Sequence, residues 1–400
     1  MKYRYLYILL LFLGFSCTDD LDFPQNNRSG YRAGNAPQTN RRSSDPTVPK
    51  GRTVIVYLAG DNSLSKEVAD IHAALVEGWN FRTEGSLVIF ADQNNSSPVL
   101  MKMGKRNNVN STDTLRRYIN ENSASPALLR EVIADTKRLV PGESYGLILF
   151  SHATGWLPAK AFNNPAKWRP SSKSTSPIVS YSVFEDRGRE MELVDFADAL
   201  PDGMFDFIAS EMCFMSSVET GYALRNKTDY LLAAAPEVLS PGFTPIYKTS
   251  LDLLFKPEPD LVGFAQAFFD YFNSQQGAHK SAAISLVRTS EMEPLATLTR
   301  EIAPALSQQE IDEVQYYDRQ GKPHVFFDFG DYIKKNATTE QVSQIDELLD
   351  KAVIFKLNTP RLINIDINKH SGLSVYIPQE NLPYLNKAYE EMEWYKAIAN

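Results

Sequence analysis

Five runs constrain this chain more than any other feature: RTVIVYLAG (52–60), GSLVIFADQ (85–93), SYGLILFSHATGW (144–156), MFDFIASEMC (204–213) and DYLLAAAPE (229–237). They are almost continuously apolar, as strands covered on both faces must be. Stretches of helical spacing separate them, LSKEVADIHAALVEGW, SPALLREVIADTKRLVPGE and MELVDFADAL. The second opens with Ser125 as N-cap and Pro126 at the first helical position, and it closes on Pro-Gly. Strand and helix in alternation make βαβ units. The expected fold class is therefore α/β, a mostly parallel sheet with helices on both faces.

Past residue 255 the pattern turns more helical (DLVGFAQAFFDYFNSQQ, TTEQVSQIDELLDKAVIFKL), with short strands at AAISLV and GLSVYIP. Residues 256–400 are expected to form a helical-rich part packed on residues 51–255. A chain of 400 residues that is 43% hydrophobic and 11% aromatic has ample material for such a core. The segment 157–180, rich in Pro, Ser and Lys, breaks the rhythm, and irregular loops of this length are usually functional or disordered.

The N-terminus belongs to export rather than to the fold. MKYRYLYILLLFLGFSC joins a basic start to an apolar run too short for a comfortable membrane span. LGFSC resembles the bacterial lipobox, so residues 1–16 read as a lipoprotein signal peptide and Cys17 as the acylated new N-terminus. Residues 17–50, polar and rich in Pro, Gly, Asn and Ser, read as a flexible tether. The membrane is thus a partner through the N-terminal lipid only. The expected location is a bacterial outer membrane, and CTDD resembles a surface-export signal of lipoproteins. Removing residues 1–16 takes away Lys2 and Arg4 and lowers the formal charge by two, from −8 to −10. With no basic stripe, that charge argues against a nucleic-acid partner.

Acylation uses one of the two cysteines and leaves Cys213 as a single thiol with no disulfide partner in the chain. In an exported protein such a thiol invites a functional reading. In parallel α/β sheets, ligands gather at the carboxyl ends of strands, here Asp61, Asp92, His152, Glu211 to Cys213, and Glu237. His152 ends one buried run and Cys213 another. On neighbouring strands both would emerge at one sheet edge, where an imidazole can take the thiol proton and later protonate a leaving amine. The stretch FMSSVETGYALRNK reads as a helix starting behind Cys213, whose N-terminus would favour a thiolate. No cluster with zinc-ligand spacing occurs, so no metal ligand is assigned.

VIVYLAGDNSL, GLILFSHATGW, SEMCFMSSVETGYAL, PEVLSPGF, FFDFGDYI and HSGLSVYIP follow one another as do the corresponding segments of the clostripain family of cysteine peptidases, which this chain resembles over roughly residues 50–380. The resemblance implies a caspase-like fold for 51–255, a cysteine endopeptidase, and a protein or peptide substrate. It matches His152 and Cys213 to the family's dyad through His-x-x-Gly-Trp and Cys-x-Met-x-x-x-Glu. Ala153 stands where the family usually has glycine; the N–H groups of Ala153 and Cys213 would bind the oxyanion. Glu211 stands where the family commonly has an aspartate that reads Arg or Lys before the scissile bond. Alternation along the strand would put Glu211 and Cys213 on one face. Several members are matured by cleavage in the loop between the two strands, where this chain offers Lys160, Lys167, Arg169 and Lys173. No cofactor is expected. Some relatives depend on calcium, but no EF-hand loop is present here and the acidic residues are scattered. The alternative is a non-catalytic surface binding lipoprotein that keeps the fold, which Ala153 favours.

Overall fold

The computed structural model describes residues 50–80, 83–119, 121–170, 183–302 and 305–399. The signal peptide, Cys17, most of the tether and Lys173 lie outside the described residues. In chain order, β1 (Arg52–Gly60), α1 (Ser65–Gly78) and β2 (Gly85–Gln93) form a parallel unit, and an antiparallel hairpin, β3 (Val99–Arg106) and β4 (Val109–Arg117), extends it. α2 (Pro126–Leu139) leads to β5 (Ser144–Phe150), parallel to the other side of β1. A small hairpin, β6 (Glu185–Asp186) and β7 (Arg189–Glu190), and α3 (Leu193–Ala199) precede β8 (Phe205–Ser210), parallel to β5. α4 (Val218–Leu224) joins β8 to the parallel β9 (Thr228–Ala233). After α5 (Thr244–Ser250) and α6 (Leu261–Asn273) comes β10 (Ala283–Arg288), antiparallel to β9. β11 (Phe327–Asp328) pairs separately with Ser374–Val375, and β12 (Val353–Asn358) closes the far edge against β10.

The result is one nine-stranded sheet in the order β12-β10-β9-β8-β5-β1-β2-β3-β4. Side chains of β1 alternate between its faces. Val54, Val56 and Leu58 pack with α1 and α6, and Ile55, Tyr57 and Ala59 pack with α2 and α3. Every residue of β1 is buried, so the continuous apolar run reports a strand covered on both sides. Arg52 anchors the sheet edge away from the strand carboxyl ends. Its buried guanidinium donates to Asp206 and to the carbonyls of Leu254, Lys256 and Pro257.

Two expectations need correction. The part after residue 256 does not merely pack on the preceding residues: the strand expected at AAISLV is β10, and it joins the central sheet together with β12. VIFKL, expected to prolong a helix, is β12; the helix stops at Ala352 and the β-branched and aromatic residues continue extended. The β3–β4 hairpin went unread because its strands are half polar. The signal for it was Asn107-Asn108, whose positive φ angles of 50° and 63° make the tight turn. Among the described residues no helix is long and apolar enough to cross a membrane.

Candidate active site

The chain leaves β1 toward β2 on one side, whereas β5, β8 and β9 build outward on the other. The carboxyl ends of β1 and β5 therefore flank a topological switch point, where α/β sheets open a crevice. His152 lies there, two residues past β5 and exposed. β8 is the direct neighbour of β5, Leu149 pairs with Ser210, and the Glu211 N–H donates to the Leu149 carbonyl. His152 and Cys213 each follow that pair by three residues, which brings both to the same sheet edge. His152 Nε2 is hydrogen-bonded to Ser63 Oγ at 2.8 Å, from the turn after β1.

Cys213 is half-buried. The Val238 N–H donates to its sulfur at 3.3 Å. Burial pushes the thiol up to about 11, and the nearby Glu237 adds to this; the Val238 bond and Arg319 act in the opposite direction. The expected help from a helix N-terminus is absent. α4 starts only at Val218, capped by the Ser217 hydroxyl, and a macrodipole fades beyond the first turn. Between them the chain turns sharply through Phe214, whose φ is +60°. Phe214 stacks on Phe326, with ring centroids 4.1 Å apart, and meets Phe162. Gly155, at φ +58°, passes so close that a Cβ there would lie 2.6 Å from the Phe214 carbonyl oxygen.

Ala153 is buried and is not among the residues of positive φ, so its methyl group meets no backbone strain. Glu211 does not share a face with Cys213. β8 ends at Ser210, and past it the alternation lapses; Glu211 points to Phe243 and Tyr247 in one core, whereas Cys213 packs against the other. The Glu211 carboxylate is 4% exposed and accepts from the Phe243 N–H at 2.6 Å and from the Tyr247 hydroxyl. Burial pushes it up to about 7. Through Phe243 it holds the far end of the segment that starts at Val238, whose N–H meets the thiol. Glu237 forms an ion pair with Arg319 at 2.5 Å.

Of the processing-loop residues, Lys160, Lys167 and Arg169 are exposed. The first half of the irregular segment is nevertheless anchored, with Leu157 and Ala161 fully buried and Trp168 Nε1 donating to the Ala159 carbonyl. Sequence reasoning missed Ser63 and a group of three acids, Asp61, Asp92 and Asp186, that meets beside the His152 loop. Asp61 and Asp92 are legible as strand ends. Asp186 comes from a two-residue strand with no pattern to announce it.

The architecture is that of the caspase-like cysteine peptidases. The clostripain family model matches residues 56–399, and the chain belongs to the clostripain family of cysteine peptidases. It is similar to an inactive zymogen C11 protease from Parabacteroides distasonis, with 33% identity and a TM-score of 0.76 over 88% of this chain and 99% of that one. It is also similar to a secreted C11 cysteine protease from Bacteroides thetaiotaomicron, solved in complex with an irreversible peptide inhibitor. That match has 26% identity and a TM-score of 0.73, over 87% of this chain and 99% of the other. No curated protein sequence matches it.

Proposed function

We propose that this peptidase is an exported endopeptidase, tethered to the outer membrane by a lipid on Cys17, in which His152 and Cys213 are the catalytic residues. The observation that carries the reading is the adjacency of β5 and β8, with both side chains three residues past the Leu149–Ser210 pair. A thiol raised to about 11 is protonated at neutral pH, so attack needs a base at the moment of reaction. His152 leaves Ser63, takes the Cys213 proton, and the sulfur adds to the scissile carbonyl. The N–H groups of Ala153 and Cys213 receive the oxyanion. The imidazolium then protonates the leaving amine, and water attacking the thioester, its proton taken by His152, restores the thiol.

We infer a preference for Arg or Lys before the scissile bond, with Glu211 at the base of the wall beside Cys213. A substrate cation would replace the Tyr247 hydroxyl on Glu211 and hold the acid ionised. Maturation would follow from cleavage at a basic residue within 157–180. The test is a fluorogenic peptide panel varying only the residue before the scissile bond, with Cys213→Ala in parallel. Turnover of Arg or Lys substrates that disappears in the mutant supports the reading. Turnover confined to other residues removes Glu211 from the pocket, and equal turnover by the mutant removes the dyad.

A further inference from the structure

The chain leaving β9 runs beside the thiol. The Phe214 N–H donates to the Pro236 carbonyl at 3.0 Å and the Val238 N–H to the Cys213 sulfur at 3.3 Å, so Glu237 is flanked by both contacts. Its side chain is 11% exposed and is held by Arg319, whose Nε and Nη2 stand 2.7 and 2.5 Å from the same carboxylate oxygen, Oε2. We propose that Arg319 is a positioning residue for the chemistry of Cys213: it keeps Glu237 in an ion pair, so that the thiolate forms beside a neutral pair and not beside a lone negative charge. The proposal rests on Cys213 as the nucleophile.

The first observation behind this is placement. Backbone contacts on either side tie Glu237 to the Cys213 turn, whereas Arg319 comes from 82 residues further along the chain. The second is the mounting of Arg319. Its neighbour Asp318 is fully buried, accepts from the Val325 and Phe326 N–H groups at 2.9 and 3.2 Å, and pairs with His324 Nδ1 at 3.0 Å. Tyr316 stacks on the His324 ring, with centroids 3.7 Å apart. Asp318 thus uses both oxygens within its own loop and leaves the Arg319 guanidinium to Glu237. A loop cinched in this way gives the arginine a fixed origin, which the long side chains of ordinary surface ion pairs lack. The third is a further contact of the same loop. Phe326 stacks on Phe214, the residue after Cys213, so one loop meets the thiol turn through a ring and the neighbouring acid through a guanidinium.

The electrostatics agree with that placement. The charged groups that face the sulfur are Glu237 from the chain after β9 and Arg319 from this loop, with His152 across the sheet edge. Burial pushes the thiol up and Glu237 adds to this, while Arg319 acts against both. A like charge beside a forming anion disfavours it, and an opposite charge favours it. With the pair intact the two oppose each other. Without Arg319 the acid stands alone in surroundings that water screens poorly.

The experiment measures the rate of Cys213 alkylation by iodoacetamide as a function of pH, on the full chain carrying Cys17→Ser, in which Cys213 is the one thiol. Arg319→Gln should slow labelling at pH 7 by about three- to thirtyfold and move the whole profile to higher pH, and Glu237→Gln should move both the opposite way. The Glu237→Gln, Arg319→Gln double variant is neutral again at this place and should return to within about twofold of the parent. Arg319→Lys keeps the charge without the fork and should fall between the parent and Arg319→Gln. A merely structural role for the pair predicts that the double variant labels at least as slowly as Arg319→Gln, an outcome that would overturn the proposal. An Arg319→Gln profile that coincides with the parent's would overturn it equally. Alkylation needs no turnover, so the result is independent of the peptidase reading, which peptide hydrolysis by Cys213→Ala tests separately.

Discussion

Gly155 and Phe214 are in backbone contact: a Cβ on Gly155 would stand 2.6 Å from the Phe214 carbonyl oxygen, and both residues have left-handed φ angles, +58° and +60°. The loop that carries His152 is thus keyed into the turn that carries Cys213. Gly155→Ala meets the clash and the positive φ together, and should destabilise the fold by about 2–4 kcal/mol. Because the displaced turn bears Cys213, the proposed nucleophile, kcat/KM is expected to fall more steeply than the folded fraction. Urea unfolding and peptide hydrolysis on one preparation separate the two; an alanine variant of full activity would mean that the two loops are not coupled.

In the proposed mechanism Ser63 competes with Cys213 for His152. Its hydroxyl occupies Nε2 at 2.8 Å, the atom that would receive the thiol proton. Ser63→Ala should raise the rate of Cys213 alkylation by iodoacetamide at pH 7 by about two- to tenfold, the equivalent of one ordinary hydrogen bond. Labelling slower than wild type would show instead that Ser63 orients the ring for its work.

The parallel strands were legible because burial on both faces leaves a continuous apolar record, and His152 and Cys213 were legible because each ends such a run. What escaped was whatever depends on contacts between distant segments. Cys213 was expected at a helix start, since FMSSVETGYAL has helical composition, but Phe214 must turn left-handed to stack on Phe326, and this delays the helix to Val218. Glu211 was read from alternation that holds only while the strand lasts. Its actual partners, Phe243 and Tyr247, lie more than thirty residues on. Asp61, Asp92 and Asp186 gather from three elements, so no local spacing could have grouped them.

Glu219, last residue of the Cys-x-Met-x-x-x-Glu pattern, is structural. It is buried on α4 and its Oε1 accepts from the Tyr376 N–H at 2.9 Å and from the Tyr389 hydroxyl at 3.0 Å. Trp156, last residue of His-x-x-Gly-Trp, packs on the same two tyrosine rings at 4.6 and 5.0 Å. Both motifs thus dock the C-terminal part onto the loops behind the site. Glu219→Ala leaves two buried donors unpaired and should cost about 3–5 kcal/mol, whereas Glu219→Gln retains the acceptor and should cost less than about 1 kcal/mol. Chemical denaturation of the pair at pH 7 decides this. Equal losses would mean that the carboxylate charge, not its acceptor oxygen, is what the tyrosines require.

Burial pushes both Glu211 and Glu219 from 4.5 up to about 7. A raised folded value means that the native state keeps a proton which the unfolded chain has already released. Between pH 4.5 and 7 the native state binds more protons, so stability must fall as pH rises. The contribution is fully present below pH 4.5 and is lost as pH climbs through 7. Each acid accounts for on the order of 3 kcal/mol across that window, and Asp92, also pushed up to about 7 by burial, acts in the same direction. Unfolding of the Cys213→Ala protein in urea at pH 5, 6, 7 and 8 should therefore show declining stability. The Glu211→Gln, Glu219→Gln double variant should show a much flatter profile and be the more stable protein at pH 8. A parent profile that rises from pH 5 to 7 would mean that both carboxylates are ionised in the fold, and that the Tyr247, Phe243, Tyr376 and Tyr389 donors outweigh their burial.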